Sequence, residues 1–179
     1  TYVIQHRVAA AGTVYDRLAV RNVEVKVRDN DTPDVWVFQG TNIVGTAVAF
    51  VEDGRTLVLE GDQTTGIRDE MRVQLAKAPA AGTVVVLDVA MNSETDRQIL
   101  LTNLANDARM QFVAGRWQIT FSASNWDQQV RIGVEARDDA MKEDPATVAI
   151  TFQRNSATTD AGFVFPNLRA PAERVEIRV

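Results

Sequence analysis

The chain contains no cysteine and a single histidine, His6, in 179 residues. The first absence excludes thiolate zinc sites, thiol catalysis and disulfide staples. It says nothing about compartment. With one imidazole, a Ser-His-Asp relay would have to be built from His6 and Asp16, and no nucleophile elbow or oxyanion-hole motif accompanies them. No apolar run approaches the ~18 residues of a membrane helix, so membrane insertion is not expected. A phosphate loop, zinc-type spacings and basic-aromatic strips are also missing. Nineteen basic residues against twenty-four acidic ones leave a mildly acidic surface, which argues against nucleic acid as a partner. A chain of this length buries enough surface to fold around one core without covalent help.

What the sequence does have is alternation. A period of two, the mark of half-buried strands, runs through Tyr2–Arg7, Val20–Arg28, Val35–Phe38, Arg55–Leu59, Glu70–Leu75, Thr83–Ala90, Trp117–Phe121, Gln129–Ala136, Thr147–Gln153 and Arg174–Val179. Turn-forming clusters such as Thr32-Pro33-Asp34, Glu52-Asp53-Gly54 and Ala114-Gly115 separate them. Short strands at this spacing predict an all-β fold, an antiparallel β-sandwich. Residues 93–110 read as a strand-poor insertion with one helical turn capped by Ser93, although Ile99 and Leu101 also alternate as a strand would.

Two segments repeat. Val23-Glu24-Val25-Lys26-Val27 returns as Val175-Glu176-Ile177-Arg178-Val179, and Thr1-Tyr2-Val3-Ile4 returns as Thr147-Val148-Ala149-Ile150. Two matches in the same order suggest a tandem array. The chain is therefore expected to divide into residues 1–31, the last strands of one repeat, and residues 32–179, the next. Asp29-Asn30-Asp31 marks the seam. An isolated hairpin is marginal in water, so residues 1–31 require a cover, either the second unit or another chain.

Several motifs in order carry a family resemblance: Leu57-Val58-Leu59-Glu60-Gly61, Phe121-Ser122-Ala123-Ser124-Asn125-Trp126 with Gln129-Val130, and Asp138-Asp139 followed by Glu143-Asp144. Together with Val23–Asp31 they make the chain resemble the Calx-β module. That family comprises β-sandwiches of sodium–calcium exchangers and of long bacterial surface proteins. The resemblance covers most of the chain, with residues 38–56 and 91–111 longer than the family pattern. It implies an immunoglobulin-like sandwich and calcium ligation by Glu60, Asp138, Asp139 and Glu143, with Asp29 and Asp31 serving a neighbouring repeat or bridging the seam. The repeat echo and the Asn125-Trp126 segment look more like bacterial surface arrays than like a cytosolic sensor. The role implied is structural or adhesive, extracellular and non-enzymatic.

The residues agree with calcium as the cofactor to expect. Calcium takes six to eight oxygen ligands, mostly loop carboxylates and carbonyls. Two carboxylates ~4 Å apart repel by about 1 kcal/mol in water and about 4 kcal/mol at the effective dielectric of a protein surface. Asp138, Asp139, Glu143 and Asp144 brought together would therefore oppose folding without a cation, unless they splay into water as ordinary turn residues do. Glu60 and Glu143 could also be cast as a glycosidase pair, but no apolar, pKa-raising surrounding is foreseeable for them. Trp126, Trp117 and Trp36 are expected to be core or strand anchors rather than ligand platforms. A competing expectation is self-assembly into a filament or surface layer, with residues 1–31 adding strands to a neighbouring chain.

Overall fold

A computed structural model describes residues 2–19, 23–25, 28, 30–41, 50–60, 68–92, 98–137, 146–163 and 172–178. The strands are β1 (Tyr2–Ile4), β2 (Val23–Val25), β3 (Val35–Thr41), β4 (Val51–Glu52), β5 (Thr56–Leu59), β6 (Asp69–Leu75), β7 (Val84–Met91), β8 (Ile99–Asn103), β9 (Met110–Val113), β10 (Arg116–Ser122), β11 (Val130–Ala136), β12 (Ala146–Arg154) and β13 (Ala172–Arg178). A 3₁₀ turn spans Ala161–Phe163. No helix among the described residues is long and apolar enough to cross a membrane.

Two sheets form the body: a six-stranded one in the order β5-β13-β12-β7-β10-β9 and a five-stranded one in the order β4-β3-β6-β11-β8. Their pairings are antiparallel except β13 with β5, which run parallel. Alternation decides which side chains point inward. On β6, Met71, Val73 and Leu75 are buried while Arg72 and Gln74 are half-buried on the opposite face. Val130, Ile132 and Val134 of β11, Leu87 and Val89 of β7, and Ile150 and Phe152 of β12 fill the space between the sheets, with Phe121 and Phe163. Each such aromatic or aliphatic side chain contributes about 1.5–3 kcal/mol when fully buried. Trp117 and Trp126 pack partly buried against this core, and the Trp126 carbonyl accepts the Leu75 N–H at 2.9 Å. Both are the anchors expected.

Two glycines carry structural necessities. Ala114 and Gly115 adopt φ of 49° and 83° between the paired residues Val113 and Arg116, the conformation a two-residue hairpin needs. At Gly133 a Cβ would collide with Thr102 Oγ1 and the Leu104 side chain.

All ten segments read from the alternation contain strands. The reading of residues 93–110 requires correction. Ile99–Asn103 is a strand paired with β11 along its whole length, and β9 begins at Met110. The helical cap at Ser93 falls outside the described residues. Pairing with β11 outweighs the local ambiguity, because Ile99 and Leu101 become fully buried only on a strand facing the core. His6 also lies beyond the strand expected for it, since β1 ends at Ile4.

β1 and β2 stand outside both large sheets and pair only with each other among the described residues. The echoed segments are partners in both copies: Tyr2–Ile4 runs antiparallel to Val23–Val25, as Thr147–Ile150 runs antiparallel to Glu173–Glu176. In the body, that pair has β7 on one flank and β5 on the other.

Candidate functional site: the acidic end of the sandwich

Strand direction gathers the chemistry at one end. β3, β5, β7, β11 and β13 finish there, and β6, β8, β10 and β12 begin there. Asp69 is the first residue of β6, and its parity places it on the core face with Met71. It is only 6% exposed. Its Oδ2 accepts the Leu57 N–H at 2.9 Å, and its Oδ1 accepts the Glu70 N–H at 3.0 Å. Beside it Gln39 and Thr56 are buried, with Gln39 Nε2 donating to Thr56 Oγ1 at 3.0 Å. Asp53 sits in the adjoining turn, where its N–H and that of Gly54 donate to the Gln39 carbonyl.

Burial pushes the Asp69 carboxyl up to about 6, helped by the negative charges of Asp53 and Glu70 and opposed by the Leu57 and Glu70 N–H groups. A carboxylate in this state gains from any cation brought beside it.

Glu60 follows β5 directly and is half-buried at this same end. Residues 137–145 link the finish of β11 to the start of β12 here. Asp138, Asp139 and Glu143 of that link lie outside the described residues, as does Asp29. Asp31 lies elsewhere. It is exposed at the start of β3, the opposite end of the sandwich, and its carbonyl accepts from Lys77 Nζ at 3.1 Å. The six candidate ligands thus include members from both ends of the body.

Among the described residues no three His, Asp or Glu side chains stand close enough to hold a metal together. Calcium takes six to eight oxygen ligands, and both carboxylate oxygens of Asp69 already accept backbone N–H groups. A complete shell would need the 138–144 link. The described residues alone do not make up a calcium site.

The alternation Glu70–Leu75 stops one residue short of Asp69. Counting back by twos from Leu75 through Val73 and Met71 lands on Asp69 and would have marked it as an inward-facing acid.

Two other buried carboxylates are already saturated. Glu70, 0% exposed, lies on the outer face of the five-stranded sheet. Arg131 Nε and Nη2 donate to it at 2.7 and 2.9 Å, and Arg72 Nε donates at 2.7 Å. Burial pushes its pKa up, but the two guanidinium groups outweigh this and hold it below the ordinary value. Around it Arg72 stacks over Phe50 and Arg28 over Phe38, 4.0 and 4.1 Å from the ring centroids. Asp160, at the opposite end from Asp69, accepts from the Ala80 N–H, the Thr83 hydroxyl and the Gly162 N–H. Neither carboxylate needs a metal.

No protein-family model matches the chain, and no curated protein matches it.

Proposed function

We propose that this chain is a non-enzymatic structural or adhesive module of an exported bacterial surface protein. On this reading it is an immunoglobulin-like, Calx-β-like sandwich that acts as one unit of a tandem array. Calcium stabilises it at the acidic end, and calcium at the seams between units would stiffen the array by restricting their angles. The observation that supports the reading is Asp69. A buried acid with a raised pKa stands at the end of the sandwich where β5 finishes just before Glu60 and where β11 finishes, ahead of the segment bearing Asp138, Asp139 and Glu143 in the sequence. A cation that binds only the folded state stabilises by about 2.7 kcal/mol at a concentration one hundred times Kd. Calcium titration by calorimetry, with melting curves in calcium and in chelator, tests this. Binding heat and a higher melting temperature are expected, both lost in Glu60→Gln; no heat and no shift at millimolar calcium would sink the calcium reading.

A second reading is self-assembly, in which residues 1–31 add strands to a neighbouring chain. It is favoured by the hairpin's position outside both sheets, with Val3 58% and Ile4 52% exposed.

A further inference from the structure

The two sheets differ by one strand, and the difference is felt at the β8/β9 side. Trp117 and Phe112 project from the inner face of the six-stranded sheet, in step with the buried Ile119 and Met110. Yet Phe112 is 63% exposed, packed edge-on against Trp117 with ring centroids 5.3 Å apart. Among the described residues no strand faces this inner-face aromatic. The consequence is a cleft of about 830 Å³ lined by Ile99, Leu101, Phe112 and Trp117, with Arg116 and Arg137 also lining it. β8 and β9 are joined by a corner in which Asn103 Nδ2 donates to the Asp107 and Met110 carbonyls. Both lips are edge strands: among the described residues β8 pairs only with β11, and β9 only with β10.

A slot between an open strand edge and an apolar inner face has the shape of a missing strand. Strand addition would use the backbone groups of β8 and bury alternate side chains against Phe112. A small apolar molecule would fill the cleft but leave that edge to water. The chain itself offers a matching element. Among the described residues the edge of β1 away from β2 has no strand beside it, whereas its echo in β12 has a strand on each side, and Val3 and Ile4 are exposed on β1. The donor belongs to a second copy for a reason of reach. Arg28 is held over Phe38 and paired with Glu52 of β4, and β2 ends three residues earlier, a tether of ~10 Å. The chain's own hairpin is thereby kept at the β3–β4 side, while β8 is the far edge of that sheet.

We infer that the β8/β9 cleft is the acceptor for the β1–β2 hairpin of a second copy, with β1 pairing to β8 and Val3 or Ile4 seated on Phe112. This rests on the self-assembly reading and names its docking site. Donor and acceptor surfaces differ, so the contact is head-to-tail and generates a ring or an open filament.

The absence of cysteine makes the test direct. Copies carrying Val3→Cys or Ile4→Cys are mixed with copies carrying Phe112→Cys and oxidised, with Val51→Cys on β4 as the control position. Sedimentation of the unmodified full chain is measured in parallel. The expected result is concentration-dependent assembly and a disulfide-linked pair with Phe112→Cys that exceeds the Val51→Cys product several-fold. Assembly without that selective cross-link would overturn the docking site and leave the self-assembly reading standing. A chain that stays monomeric and gives no cross-link would overturn both. A small apolar molecule found bound in the cleft of a monomeric chain by native mass spectrometry would reassign the cleft and also overturn the proposal.

Discussion

The carboxylate of Asp69, on the five-stranded sheet, accepts the N–H of Leu57, on the six-stranded sheet, at 2.9 Å. One buried acid thus ties the two layers together at the end where β5 and β11 finish. The bond satisfies a backbone donor, but it leaves a charge in a poorly solvated place.

That compromise sets a pH dependence. Asp69 holds its proton more tightly folded than unfolded, so its ionisation costs stability. The cost is absent below 3.8, grows as the pH rises, and is complete above about 6, where it amounts to about 3 kcal/mol. Asp69→Asn keeps an acceptor for Leu57 and removes the titration. Urea denaturation across this range should show the variant losing less stability between pH 4 and 7 than the parent chain. If calcium binds at this end, the variant should also lose most of the calcium-induced rise in melting temperature.

Glu70 works in the opposite sense. Its folded pKa is depressed, so its contribution is present above its unfolded value of 4.5 and is lost as the pH falls through the lower folded value. Glu70→Ala leaves two guanidinium groups without their shared acceptor. Both arginines retain partial solvent access, so the expected loss is about 2–3 kcal/mol, below the range for fully buried pairs. Equilibrium denaturation at pH 7 measures it.

Asp160→Ala should loosen the opposite end without touching the acidic one. It removes the acceptor for the Ala80 and Gly162 N–H groups and for the Thr83 hydroxyl, at a cost of about 2–3 kcal/mol. Hydrogen exchange at Ala80 and Gly162 should accelerate, while calcium response stays unchanged. Slow exchange at both amides in the variant would show that the carboxylate is not what protects them.

The body strands that were legible show alternation over a buried face, as in Met71-Arg72-Val73-Gln74-Leu75. β4 escaped notice because two residues carry no period. β8 was ambiguous because Ile99-Leu100-Leu101 is continuously apolar. The acidic link after β11 stood out as a cluster along the chain. The roles of Asp69, Glu70 and Asp160 did not, since a charged residue in sequence looks solvated until its partners are known. Asp160 clamps Ala80 from 80 positions away, and Arg131 reaches Glu70 across 61. Local pattern cannot register contacts of that span.

The sequence by itself determined that this is an all-β chain, where its long strands lie, and that its first hairpin echoes a later one. Those properties follow from side-chain periodicity, which is local. Only the tertiary structure decided that six strands face five, so that Phe112 stands uncovered beside an open edge. It likewise brought Asp69 under the acidic end. The order of strands in a sheet and the burial of a charge depend on which distant segments become neighbours.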